Sequence, residues 1–148
     1  MTLISEPPAS VQLPGLVPGL APGLAELVVG DTVGAISMRA GLGAETNAML
    51  SLHLLSGPVI GIPGKPERWV FLTGPVTPVR VDTVLDLVRI DVHLLAPGTR
   101  LALPPRAAGL AGPRWVVHPR QGHDLPPWQA VVSAARSTSS MCSNWTNS

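Results

Sequence analysis

His93, His118 and the pair His123-Asp124 are the side chains whose types and spacing come nearest to a metal or acid–base centre, with Cys142 as the one thiol. A zinc site wants three or four His, Cys or carboxylate ligands in tight geometry. The spacings here follow no such pattern, and His93 sits in an apolar run. Isolated histidines among strands read as ordinary core or surface residues. A Ser-His-Asp hydrolase has no G-x-S-x-G elbow to stand on. Gly64-Lys65 invites a phosphate-loop reading, but Val59 stands where the Walker form needs a glycine and Pro66 where it needs Ser or Thr. Gly41-Leu-Gly-Ala lacks the third glycine of a dinucleotide fingerprint.

The arginines carry a stronger signal. Residues 1–91 hold five basic and eight acidic groups, a balance of −3, whereas residues 92–148 hold five arginines against Asp124 alone, a balance of +4. Such asymmetry marks either a surface that meets a polyanion or a solvated Arg-bearing face. Trp69, Trp115 and Trp128 fall at element starts and read as packing residues. An exposed aromatic beside Arg114 or Arg120 would instead suit single-stranded nucleic acid.

A chain of 148 residues allows one domain. With 45% hydrophobic residues it is too apolar for wholesale disorder, and its 17 prolines and 15 glycines are too aperiodic for collagen. A single cysteine cannot close an intramolecular disulfide. The apolar stretch 7–25 follows Glu6 rather than a basic segment and is broken by Pro14, Pro18 and Pro22, so it reads neither as a leader nor as a membrane span. Without a leader, the sequon at Asn144-Trp145-Thr146 carries no weight. The cytoplasm is the expected compartment, with no membrane partner.

Leu-Pro-Gly-Leu, Val-Pro-Gly-Leu and Ala-Pro-Gly-Leu follow one another over 13–24. Pro-Gly steps mark turns, so residues 1–24 read as a disordered tail, or as a polyproline-type ligand that docks by its leucines. Val33–Met38 has strand composition with little alternation. Ala44, Ala48, Leu52 and Leu55 are spaced for an amphipathic helix over 44–55, closed by Gly57-Pro58. Pro58–Ile62 and Trp69–Thr73 read as strands joined by a hairpin-like connection. Asp82 is the expected cap of a helix with Val84, Leu85 and Val88 on one face. Ile90–Leu95 and Thr99–Leu103 read as strands split by the turn Ala96-Pro97-Gly98, and Arg114–His118 as a third. Pro126-Pro127 suit the start of a helix over 128–136, before a flexible polar tail at 137–148. The order β-α-β-β-α-β-β-β-α predicts an α+β domain over 25–136, with helices packed on one face of a mainly antiparallel sheet.

The run from Ile90 to Pro105 resembles a recurrent segment of bifunctional DNA primase/polymerase (prim-pol) domains, of the archaeo-eukaryotic primase superfamily. There an acid enters a strand, then come a glycine turn, an apolar strand, Pro-Pro, a glycine, an aromatic-led strand and a proline. Asp91, Gly98, Leu101–Leu103, Pro104-Pro105, Gly112, Trp115–Val117 and Pro119 look like these positions, and Gly57–Ile60, Trp69–Leu72 and the closing helix extend the likeness over residues 57–136. The resemblance implies a prim-pol/RRM-like core. It also implies two divalent metals held by carboxylates, two of them close together on the strand before Pro58, and a histidine near Arg68–Phe71 that meets the nucleotide phosphates. Between Val33 and Ile60 the only acid is Glu45, no histidine stands near Arg68–Phe71, and Asp91 alone matches, as the third acid. On the same resemblance, the family's N-terminal part is expected to be missing or replaced by the Pro-Gly segment.

The expected function is therefore a degenerate, non-catalytic primase/polymerase-like domain that needs no cofactor. It would bind DNA or a nucleotide through Arg100, Arg106, Arg114 and Arg120. The alternative is a small protein-interaction module that reuses the scaffold and docks a protein partner through residues 1–24. An active enzyme would need Mg²⁺ and would rest on Asp91 alone as the catalytic acid.

Overall fold

A computed structural model of the chain describes residues 16–18, 25–30, 32–104, 112–120 and 124–147. The elements are β1 (Leu16–Pro18), β2 (Ala25–Val28), β3 (Gly34–Arg39), α1 (Ala40–Leu52), β4 (Val59–Ile62), β5 (Arg68–Thr73), α2 (Val81–Arg89), β6 (His93–Leu94), β7 (Arg100–Leu103), β8 (Arg114–Val117) and α3 (Trp128–Asn147). From β3 onward the order is the one expected, and the protein is α+β. Among the described residues all strand pairs are antiparallel, but they form two sheets: β6-β3-β5-β4-β8 and β1-β2-β7. Within the larger sheet, β3 to β6 follow the chain order β-α-β-β-α-β with β5 inserted between β3 and β4, a split β-α-β unit.

Strand β3 shows why three layers form. Its residues Gly34 to Met38 are all buried, which explains the weak alternation of this run. Ile36 and Met38 point, with Val59 and Phe71, into a core shared with Leu50 of α1, Leu87 of α2 and Val131 and Val132 of α3. On the opposite face Val33 and Ala35 join Ile60, Val70 and Leu72 against Leu27, Val29 and Leu103 beside and within the smaller sheet. The helices do lie on one face, as expected. The second sheet on the other face was not foreseen, because β1 lies inside the Pro-Gly stretch read as a disordered tail. Leu16–Pro18 instead pairs with Ala25–Leu27.

Helix α1 begins at Ala40, four residues earlier than its spacing suggests. Gly41 and Gly43 disfavour a helix there, and tertiary packing overrides them. A Cβ on Gly43 would stand 2.9 Å from Trp69 Cε3, so the glycine lets the helix lie close on β5. The helix also ends earlier, at Leu52. Leu55 N–H donates to Leu50 O and Leu54 N–H to Ser51 O, with Leu54 left-handed at φ 59°. This is a Schellman ending, with Leu50 and Leu55 packed in the same core.

Helix α2 has Arg80, not Asp82, at its N-cap; Asp82 lies in the first turn, where its charge complements the helix dipole. Its end repeats the Schellman pattern: Val92 N–H donates to Leu87 O and Asp91 N–H to Val88 O, with Asp91 left-handed at φ 62°. The strand expected over Ile90–Leu95 thus shrinks to His93–Leu94, since the first residues are spent closing the helix. The stripe of Val84, Leu85 and Val88 exists but faces solvent, and Leu87 is the buried residue. Helix α3 continues to Asn147, past the expected end at Arg136, as no Gly or Pro interrupts 128–147; Thr138 is buried there. Among the described residues no helix is long and apolar enough to cross a membrane.

Candidate functional site

The alternation of β3 places Ser37 and Arg39 on the face opposite Ile36 and Met38. Antiparallel register then sets His93 of β6 beside Ser37, and Arg68 of β5 beside Arg39. These four side chains share one sheet face. Asp91, at the close of α2, brings its carboxylate among them.

Arg39 Nε donates to Asp91 Oδ2 at 2.9 Å, Arg68 Nη1 donates to the same oxygen at 2.9 Å, and His93 Nε2 stands 3.0 Å from Oδ1. Arg68 reaches further: its Nε donates to Ser37 Oγ at 2.8 Å, and its Nη2 to Asp91 O at 2.8 Å and Ser37 O at 3.2 Å. Bonds from Arg39 and then Arg68 hold the Asp91 carboxyl well below the ordinary aspartate range, down to about 2, against a smaller opposing effect of burial.

This chemistry favours holding an anion. Asp91 is ionised far below neutral pH and does not act as a proton carrier there. Ser37 Oγ is buried and accepts from a guanidinium, and among the described residues it donates to no base. Arg68 is engaged at all three nitrogens, but Arg39 is 61% exposed, and its two terminal nitrogens have no partner among the described residues. Arg39 therefore offers donors to an incoming anion over a base fixed by Arg68 and Asp91, and His93, whose Nε2 faces Asp91 Oδ1, has only Nδ1 left to turn toward a ligand.

Among the described residues no group of side chains fits the pair of divalent cations that the resemblance implies. The strand before Pro58, on which the resemblance leads one to expect two acids, is β3, and the positions it turns toward Asp91 are Ser37 and Arg39. Two guanidinium groups already take up the one matching carboxylate. Glu45 lies exposed on α1.

Of the other arginines read from the sequence, Arg100 on β7 pairs with Glu26 at 3.1 Å and Arg114 on β8 with Glu67 at 2.8 Å. The Arg114 bond, helped by Trp69 Nε1, lowers the Glu67 carboxyl below its usual range. Arg100 and Arg114 stand in different sheets, each paired with its own acid. Arg120 is exposed after β8, with no ion pair among the described residues. Arg106 lies outside the described residues, as does His123. Sequence reasoning missed Ser37, Arg39 and Arg68 and weighed His93 as a metal ligand or an ordinary core or surface residue. The signal was the alternation Ser37-x-Arg39 at the end of an apolar run, mirrored by Asp91-x-His93.

Compared with known proteins, the chain matches no family model, no curated protein and no solved structure.

Proposed function

We propose that this chain is a non-catalytic primase/polymerase-like domain that binds the phosphate of a nucleotide or a nucleic acid, with Arg39 and His93 making the contact and Arg68 and Asp91 holding them in place. The observation that carries this reading is the convergence of two arginines and a histidine, from three neighbouring strands, on one carboxylate at the sheet face opposite the helices. The split β-α-β-β-α-β order supports it, and so does the lack of acids on β3: with the Asp91 carboxylate already taken up by guanidinium groups, Arg39 can meet phosphate directly.

The alternative, a module that docks through residues 1–24, is weakened where Leu16–Pro18 is taken up in β1. The remainder of that segment lies outside the described residues.

The test is fluorescence anisotropy with a labelled single-stranded oligonucleotide and, separately, a labelled nucleoside triphosphate, at low and high salt. Arg39→Ala should weaken binding by about tenfold or more, the worth of one charge-assisted contact. Salt should weaken oligonucleotide binding steeply. Binding that survives Arg39→Ala and His93→Ala but collapses on Arg114→Ala or Arg120→Ala would return the contact to the outlying arginines. No binding of either probe would remove the proposal.

A further inference from the structure

Helix α2 is amphipathic, yet its broad apolar stripe faces water. Val81 is 77% exposed, Leu85 53%, Val88 63% and Val84 36%, and their spacing of i, i+3, i+4 and i+7 makes one continuous strip. Exposed apolar residues scattered singly mean little, but a contiguous strip bordered by charge marks an interaction surface.

The bordering charges select the partner. At about 100° per residue, Asp82 and Arg89 fall along the same edge of the strip, near its two ends and seven positions apart. A twofold axis lying across the helix, in the plane of contact, leaves that edge on the same side and reverses the helix direction. Asp82 of one copy then meets Arg89 of the other, twice by symmetry. A parallel pair would carry the two edges to opposite sides and leave both charges unmatched. Within the chain their present ion pairs are long and exposed, Asp82 with Arg80 at 3.3 Å and Arg89 with Asp86 at 3.5 Å, although Asp82 Oδ1 also accepts from Thr83 N–H at 2.9 Å. Asp86 keeps Arg136 at 2.9 Å when Arg89 leaves.

We infer that α2 is the interface of an antiparallel homodimer, with the Val81, Val84, Leu85 and Val88 strip of two copies packed together and Asp82 paired to Arg89 across both rims. The strip offers on the order of a few hundred Å² per copy, below the ~800 Å² of a standard interface, so the dimer is weak and concentration-dependent. The inference is independent of the anion site, which lies on the other face of the larger sheet.

Sedimentation equilibrium of the whole chain, carried up to about millimolar concentration, tests it. The wild type should move toward twice the chain mass. Leu85→Glu and Val81→Asp should each stay monomeric while keeping the wild-type circular dichroism spectrum and melting temperature. Asp82→Arg alone and Arg89→Asp alone should each raise the dissociation constant about fivefold or more, and the double exchange should restore it. A wild type that stays monomeric throughout overturns the inference and leaves the strip to a different protein. A dimer untouched by Leu85→Glu moves the interface elsewhere. Failure of the double exchange to rescue overturns the antiparallel pairing.

Discussion

Arg68 grips Asp91 at two places, through the side chain at Nη1–Oδ2 and through the backbone at Nη2–O, 2.9 and 2.8 Å respectively. One guanidinium on β5 thereby ties the left-handed turn that closes α2 to the sheet. Asp suits that turn better than most residues, since Asp and Asn tolerate positive φ. Its carboxylate is then delivered to Arg39 and His93 with little freedom to move. The ending of a helix and the geometry of the site are one feature.

The pH dependence of stability should report this tie. The folded-state value of Asp91, about 2, lies below its ordinary 3.8, so the unfolded chain binds more protons between these limits. Its contribution is therefore complete above about pH 4 and is lost as pH falls through about 2. Urea midpoints measured from pH 6 down to pH 2 should fall in that window, and Asp91→Asn should flatten the fall. Arg39→Ala removes the largest cause of the shift, so the Asp91 carboxyl should titrate closer to 3.8 by carbon NMR. An unmoved titration would show that Arg39 does not reach the carboxylate in solution.

Leu54 is 92% exposed and left-handed at φ 59°. Its position in the Schellman ending of α1 is the one glycine ordinarily fills. Leu54→Gly should stabilise the protein by about 1 kcal/mol, because it removes a strained backbone and no packing. Thermal or urea unfolding would show it, and a loss of stability would contradict the assigned helix end.

Gly43 sets two effects against each other. Helix propensity alone favours Gly43→Ala by about 1 kcal/mol. The added Cβ would stand 2.9 Å from Trp69 Cε3 and 3.1 Å from its Cβ, and overpacking costs about 1–3 kcal/mol. The clash should win, giving a net loss in chemical denaturation. The loss should shrink when the same substitution is made with Trp69→Leu, since the pair is then decoupled.

Thr46 is wholly buried on α1, and its hydroxyl has no partner among the described residues. Thr46→Val keeps the shape and removes the unmatched polar group. Stability should rise by about 1 kcal/mol. An equal drop in the urea midpoint would reveal a bond made by that hydroxyl in solution.

Much of the fold was legible because hydrophobic period and turn chemistry are local. The β-α-β-β-α-β-β-β-α order, the hairpin from Val59 to Thr73 and the start of α3 after Pro126-Pro127 all follow from residues close in sequence. Boundaries slipped where a nearby signal competed. Gly41 and Gly43 argued against a helix that packing on Trp69 requires, and the valine-rich run after Arg80 announced a stripe without saying which way it faced. Period identifies a face; only the rest of the molecule decides whether water or core lies against it.

The candidate site shows the same division. The sequence by itself determined the alternation Ser37-x-Arg39, the pair Asp91-x-His93, the elements that carry them and the absence of acids from the strand before Pro58. Their meeting was decided by tertiary structure, through a sheet order that sets β6 and β5 on either side of β3. Arg39 and Asp91 are 52 positions apart, and Arg68 and Asp91 are 23 apart. The second sheet belongs to the same category, for β2 finds β7 across more than seventy residues. Non-local pairs of this kind leave no periodic trace in the chain, because their energy appears only after the loops between them have closed.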